Sequence, residues 1–388
     1  MNLFFFSAWR VRHSLPVFLI LSLSAAPSGL LFAKKKTSNF FTDVNAAWYV
    51  DKANIGRTAA EKPLVRVPLE LAWKIRVGRS IGATPSAADE FIFISTRDRR
   101  IIILERNSGV RVHRRTLKGG FGGPVVIDGV QMYFNTLAPD SRLYYTEINS
   151  KEKHFEKKVG STMASPIVNQ DRVFVFTQLG KVLSMNSEQG TKNWEAQLKG
   201  KIEFAPLYID PYLFVPTVEG RVYKLDSSTG GQLASFSVHG HMYCDLSSDG
   251  YFLFTALTNG EVYCLEPDSL KVEWKVKIGH PLFSGPVYYK GNVYLSTREG
   301  RIVKLAALDG SQIWESGLDG IAVAPPAVTD NYVFTATKSG ELAAFDSESG
   351  EKLWSKTVDE GISASPLVFK DFVYYCSDRG TVYAFHAK

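Results

Sequence analysis

The chain has 388 residues, 45% hydrophobic and 22% charged, a balance that belongs to a folded globular protein and excludes a disordered one. Its formal charge of +6 is spread over interleaved acids and bases, which excludes the basic stripe of a nucleic-acid binder. Three cysteines, the first at Cys244, exclude a disulfide scaffold and leave no lipid-attachment cysteine to expect near the N-terminus.

The N-terminus opens with "MNLFFFSAWRVRH", which carries Arg10 and Arg12 and no acid, and continues with the apolar run "LPVFLILSLSAA". This order predicts a secretory signal over residues 1–33, cut after Ala33, and an exported protein. An uncleaved signal anchor is the alternative, because residues 15–33 are nearly long enough to span a bilayer, although Pro27, Ser28 and Gly29 interrupt them. Residues 34–68 read as a leader.

From residue 69 onward the chain repeats. Gly180, Gly220, Gly260, Gly300, Gly340 and Gly380 stand forty apart, and Pro166, Pro206, Pro286, Pro326 and Pro366 keep the same period with Leu246 in the gap. Trp194, Trp274, Trp314 and Trp354 follow it too, with Phe236 assigned to their missing slot. Residues 69–388 thus form eight units of forty. Runs such as "NYVFTATKSGELAAFD" alternate apolar with small or polar residues between turn clusters, so each unit gives four short strands, A to D, rather than paired helices. Four-stranded units at this period predict an all-β, eight-bladed β-propeller.

Each repeated residue has a physical reason. The glycine between strands B and C takes the positive φ of a tight hairpin. The tryptophan on strand D covers the neighbouring blade and needs an acceptor for its N–H. Small residues before the strand-A proline let the inner strands converge on the axis. The first segment, "LELAWKIRVG" around Trp73, is a strand D without its own A, B and C, whereas the last unit has A, B and C but no D. The N-terminal strand is therefore expected to complete the C-terminal blade and close the ring. Pro216 falls within the fourth strand B and is expected at a bulge or the strand end.

The units "SPIVNQDRVFVFTQLGKVLSMNSEQGTKNW" and "SPLVFKDFVYYCSDRGTVYAF", with the leader "AWYVDKANIGRT", resemble the pyrroloquinoline-quinone-like repeat family of β-propellers. Length, eight units and the export signal are most similar to its BamB-type members. The resemblance implies a non-catalytic, cofactor-free scaffold that serves the outer-membrane β-barrel assembly machine from the periplasm. It would be a monomer, membrane-associated through its partner or an uncleaved signal. The resemblance further implies that the D-to-A loops before the middle blades meet the partner. Leu198 and Lys201 match positions of the first such loop; His241 and Tyr243 in the second depart from the acids that relatives tend to carry. A propeller binding a polysaccharide or surface protein is the alternative, and a quinone-dependent dehydrogenase is a third reading. The dehydrogenases use a Cys-Cys pair and Glu, Asn and Asp ligands to Ca²⁺, and this chain has no Cys-Cys.

Three further sets of residues stand out. His239, His241 and His280, with Cys244 or Asp245, lack the spacing of a metal signature, and rim polarity is the simpler reading. Cys244 and Cys264 fall on strands A and C of one blade, about 9–10 Å apart across strand B, too far for a disulfide. All three cysteines are expected as buried free thiols. Arg97, Arg99, Arg100, Arg142 and Arg379 fall in B-to-C loops of blades eight, one and two, an arc suited to an acidic partner unless Asp98, Asp140 and Asp378 offset it.

Overall fold

A computed structural model describes residues 64–148 and 154–388. The expected signal and the leader as far as residue 63 lie outside them. The described residues form eight four-stranded antiparallel sheets, and no helix among them is long and apolar enough to cross a membrane. Blade 1 comprises Ser86–Ala88, Phe91–Ser95, Arg100–Glu105 and Arg111–Thr116 as strands A to D. Blade 4 comprises Leu207–Ile209, Tyr212–Thr217, Arg221–Asp226 and Gln232–Ser237. The eighth sheet joins Leu367–Phe369, Phe372–Cys376 and Thr381–Ala387 to Leu69–Arg76, the expected closing strand, in a register running from Leu69 opposite Ala387 to Arg76 opposite Thr381.

The hydrophobic core is eight seams rather than one centre. Alternate residues of strands B and C face opposite neighbours. In blade 8, Tyr374 and Cys376 pack with Ile92, Ile94 and Ile102 of blade 1, whereas Val373 and Tyr375 pack with Phe334 and Leu342 of blade 7. Blade 8 is thus sealed on both sides, and the ring is closed by apolar packing as well as by strand pairing.

The strand-D tryptophans rivet these seams. In seven blades the pairing of C with D slips by one residue close to the tryptophan slot, a bulge that re-aims the side chain. The indole N–H of Trp194 donates to the Ser227 carbonyl at 2.9 Å, and Trp73, Trp274 and Trp314 donate likewise to Arg106, Ala307 and Ser347, each thirty-three residues ahead. The next C-to-D turn lies flat on the ring. Gly109 at φ +68° and Gly230 at +75° sit so close that a Cβ would come within 2.6 Å of Trp73 and 2.5 Å of Trp194.

One strand-D assignment needs correction. The residue opposite Lys224, where Trp194 stands opposite Ser184, is Ala234 and not Phe236. Phe236 instead meets Tyr263 edge-on at 5.7 Å. At the matching turn Leu270 replaces the glycine at φ +56°, is 3% exposed, and packs in the same cluster as Ala234. A large turn residue thus fills the space left by a small strand residue. Pro216 falls at the strand end, as one of the two expected placements had it: it is one residue short of the last, Thr217, pairs in register with Val222 without a bulge, and lies two residues beyond the last A–B pair, Leu207 with Phe214, so its missing N–H costs no ladder bond.

Candidate functional site

The loops expected to carry function share one face, and one repeated bond ties them. A residue at the start of each B-to-C loop donates its N–H to the preceding D-to-A loop: Arg97 to Ser80 at 3.0 Å, Val218 to Lys201 at 2.9 Å, Thr258 to His241 at 3.2 Å and Arg298 to Pro281 at 3.0 Å. Each loop pair therefore presents its side chains from a fixed backbone.

At the centre of this face the segments that lead into the eight inner strands line a channel mouth of about 250 Å³. Most wall residues are small, as convergence on the axis requires. Gly285 is an example, where a Cβ would lie 2.8 Å from the Asp245 carbonyl. Blades 4 to 6 break the pattern. Tyr243 lies 5.9 Å from Phe204 and 6.2 Å from Phe283, ring centre to ring centre, with His241 6.2 Å from it on the rim. The Arg298 guanidinium covers Phe283 at 5.1 Å. Tyr243 is 39% exposed and Phe283 36%, so blades 4 to 6 offer an aromatic platform edged by a cation. Phe204, Phe283 and Arg298 were not found from sequence. The signal for the two phenylalanines is the column two and three residues before the strand-A proline, where bulk appears only locally, whereas Arg298 stands in a B-to-C loop with no such marker.

The other expected contact residues scatter. Lys201 is exposed, and its backbone N–H is held by Glu219 at 2.8 Å. Leu198 is 6% exposed and packs with Phe176, Val182 and Ile202, so it supports the loop from beneath instead of offering surface. The basic arc is not one patch. Arg97, Arg99 and Arg100 line a common cavity. Arg142 is drawn to Asp140 at 3.3 Å and Glu156 at 3.4 Å, and Arg379 is exposed on blade 8 outside that cavity. Beside Arg379, Asp378 is engaged by Lys338 at 3.1 Å and Ser363 at 2.7 Å.

The histidines and thiols point elsewhere. His280 faces Glu299 at 2.7 Å and Glu315 at 3.4 Å through its two ring nitrogens. Cys244 lies three residues ahead of its strand A, Ser247–Ser248, and not on it; its buried thiol donates to the Ala256 carbonyl at 3.0 Å. Burial pushes the Cys244 thiol up to about 11 and the Cys264 thiol to about 12. All three cysteines are free and buried. The channel walls do not fit a quinone with its cation. Their carboxylates are Glu203, reached by Gln178 Nε2 at 3.4 Å, and Asp245, whose Oδ1 accepts the Ala205 N–H at 2.7 Å. No group of three or more His, Cys, Asp or Glu among the described residues can hold a metal ion, whereas a hard cation needs an oxygen-rich cage.

Comparison with known proteins follows the same lines. The outer membrane protein assembly factor BamB of Burkholderia pseudomallei (strain K96243) is 29% identical over 115 residues, and that of Bordetella pertussis (strain Tohama I) is 26% identical over 121. These alignments cover 30% and 31% of this chain, and the chain spans only about a third of the length of these curated relatives. Among solved structures, BamB from Moraxella catarrhalis superposes with a TM-score of 0.70 at 15% identity, over 82% of this chain and 99% of that one. A quinohemoprotein alcohol dehydrogenase from Pseudomonas putida gives 0.74 at 13% identity, over 88% of this chain and 80% of its own, so the fold is common to both. The model of the family described as outer membrane protein assembly factor BamB matches residues 70–203, 139–233, 218–321 and 298–388, and the chain belongs to that family of PQQ-like β-propellers.

Proposed function

We propose that this propeller is an exported, non-catalytic scaffold that binds a protein subunit of the outer-membrane β-barrel assembly machinery on the periplasmic side. The observation that carries the reading is the family match, which runs through all eight blades. The site supports it. Tyr243, Phe204 and Phe283 expose rigid aromatic area beside Arg298, and Lys201 and His241 stand on the adjoining loops. Aromatic residues and arginine are the usual energetic anchors of protein interfaces. A scaffold of this kind needs no moving parts, and the repeated loop ties hold the platform in its binding shape.

Co-purification of the full chain from membranes under mild detergent tests the reading. Recovery of a barrel-assembly subunit, lost on Tyr243→Ala, is the expected outcome. Recovery of none, together with quinone- and Ca²⁺-dependent dye reduction, would overturn it in favour of the enzyme that shares the fold.

A further inference from the structure

The cavity between the loops of blades 8, 1 and 2 is a second, chemically different site. It encloses about 490 Å³ and is lined by Arg79, Arg97, Arg99, Arg100 and Lys118, with Asp98 the one carboxylate among its lining residues. Asp98 stands 3.3 Å from Arg100, so five positive charges less one negative leave four. Among the described residues, Arg79, Arg97, Arg99 and Lys118 have no ion-pair partner, whereas Arg106, Arg142 and Lys352 all do. Gly119 and Gly120 keep the floor open; a Cβ on Gly120 would come 2.4 Å from the Arg97 carbonyl. The walls are fixed by Leu117 N–H to Arg99 at 2.9 Å and Leu137 N–H to Gly120 at 2.8 Å.

Arg99 supplies an independent argument. It precedes strand C, the hairpin position that Gly180, Gly220, Gly260, Gly300, Gly340 and Gly380 occupy at φ between +71° and +91°. Blade 1 places an arginine there at φ +71°. A bulky residue in the left-handed region is strained, and such strain is characteristic of sites kept for function. The fold would be served better by the repeat's own glycine.

We infer that this cavity binds a polyanion bearing two or more phosphoryl groups. Guanidinium forks match phosphoryl oxygens in paired hydrogen bonds, and the volume suits a headgroup-sized ligand. Four uncompensated charges exceed what a single carboxylate neutralises, and a diphosphate meets them in one compact group.

Calorimetric titration of the full chain with inorganic pyrophosphate tests this. Saturable binding is expected, weakened about tenfold or more by Arg99→Gly and abolished by Arg97→Ala with Arg99→Gly. Arg99→Gly should also raise the urea midpoint, which separates loss of ligand from loss of fold. Arg114→Ala, on the outer strand of the same blade, should leave the isotherm unchanged. Capture by vesicles of cardiolipin, whose headgroup carries two phosphoryl groups, in phosphatidylcholine, reversed by pyrophosphate, would support a lipid headgroup as the source. Pyrophosphate binding without vesicle capture would support a soluble phosphate. An isotherm unaffected by Arg99→Gly, no binding at all, or tighter binding of hexaglutamate would overturn the inference. The variants leave Tyr243 and Phe283 intact, so the outcome is independent of the docking reading.

Discussion

The indole N–H of Trp354 donates to the backbone carbonyl of Leu69 at 2.9 Å, across 285 residues of sequence. It is the seam rivet whose acceptor lies on the closing strand Leu69–Arg76 and not in a C-to-D turn. Trp354→Phe removes the donor and leaves that carbonyl without it, at a cost of about 1–2 kcal/mol. Trp73→Ala empties the other side of blade 8 and should cost about 3 kcal/mol, the low edge for a large core truncation because this indole is only half-buried. Urea unfolding followed by tryptophan fluorescence checks both; unchanged midpoints would mean that blade 8 does not depend on these contacts.

The exchange at the blade 4–5 seam makes a sharper case. Leu270→Gly alone should destabilise by about 2 kcal/mol, since the lost side chain is buried and relief of the left-handed backbone offsets only part of it. Ala234→Trp alone should destabilise by overpacking against Leu270. Together they rebuild the rivet of the other seams. A double-mutant cycle should then show the pair less destabilised than the sum by more than about 1 kcal/mol; simple additivity would refute the exchange.

Tyr243→Ala should weaken capture of the assembly subunit by about 2 kcal/mol, near thirtyfold, with no change in the unfolding midpoint. Lys201→Glu should act mainly on the association rate and its salt dependence. Surface plasmon resonance separates the two effects. A Tyr243 variant that binds normally would move the interface off the platform.

The buried thiols predict alkaline sensitivity. Cys244 ionises near 9 when unfolded, and burial raises it to about 11 in the native chain. Between those values the folded state holds the proton and the unfolded state releases it. Stability therefore falls as pH rises through this window, by about 1.4 kcal/mol per unit for each such thiol. Below pH 9 the term is absent. Urea midpoints should decline from pH 9 to 11, less steeply in Cys244→Ala, and native chain should resist iodoacetamide at pH 8 until denatured.

Ring, blade count and closing strand were legible because each depends on residues that recur in identical local settings. Gly180 and its five counterparts meet the same backbone demand, so spacing alone identified them. Matching by residue type failed where neighbours compensate: nothing within strand D shows that Ala234 is answered by Leu270 from the next blade. The site was half legible for a similar reason. Tyr243 stood out against small residues, but its partners Phe204 and Phe283 lie 39 and 40 residues to either side, in columns that only the ring brings together. Leu198 was misplaced as surface because a loop position does not reveal that its side chain turns inward.

Blade 8 pairs Trp73 with Ala384, 311 residues apart. Synthesis proceeds from the N-terminus, so the strand that locks the ring emerges first and its partner last. Until then seven blades can assemble one on another, but the seam strand waits with unpaired edges. The fold is thus vulnerable in time rather than in strength. Final closure should be the slow event, and a holdase that shields residues 69–76 should raise the yield of native rings more than one acting on any later strand.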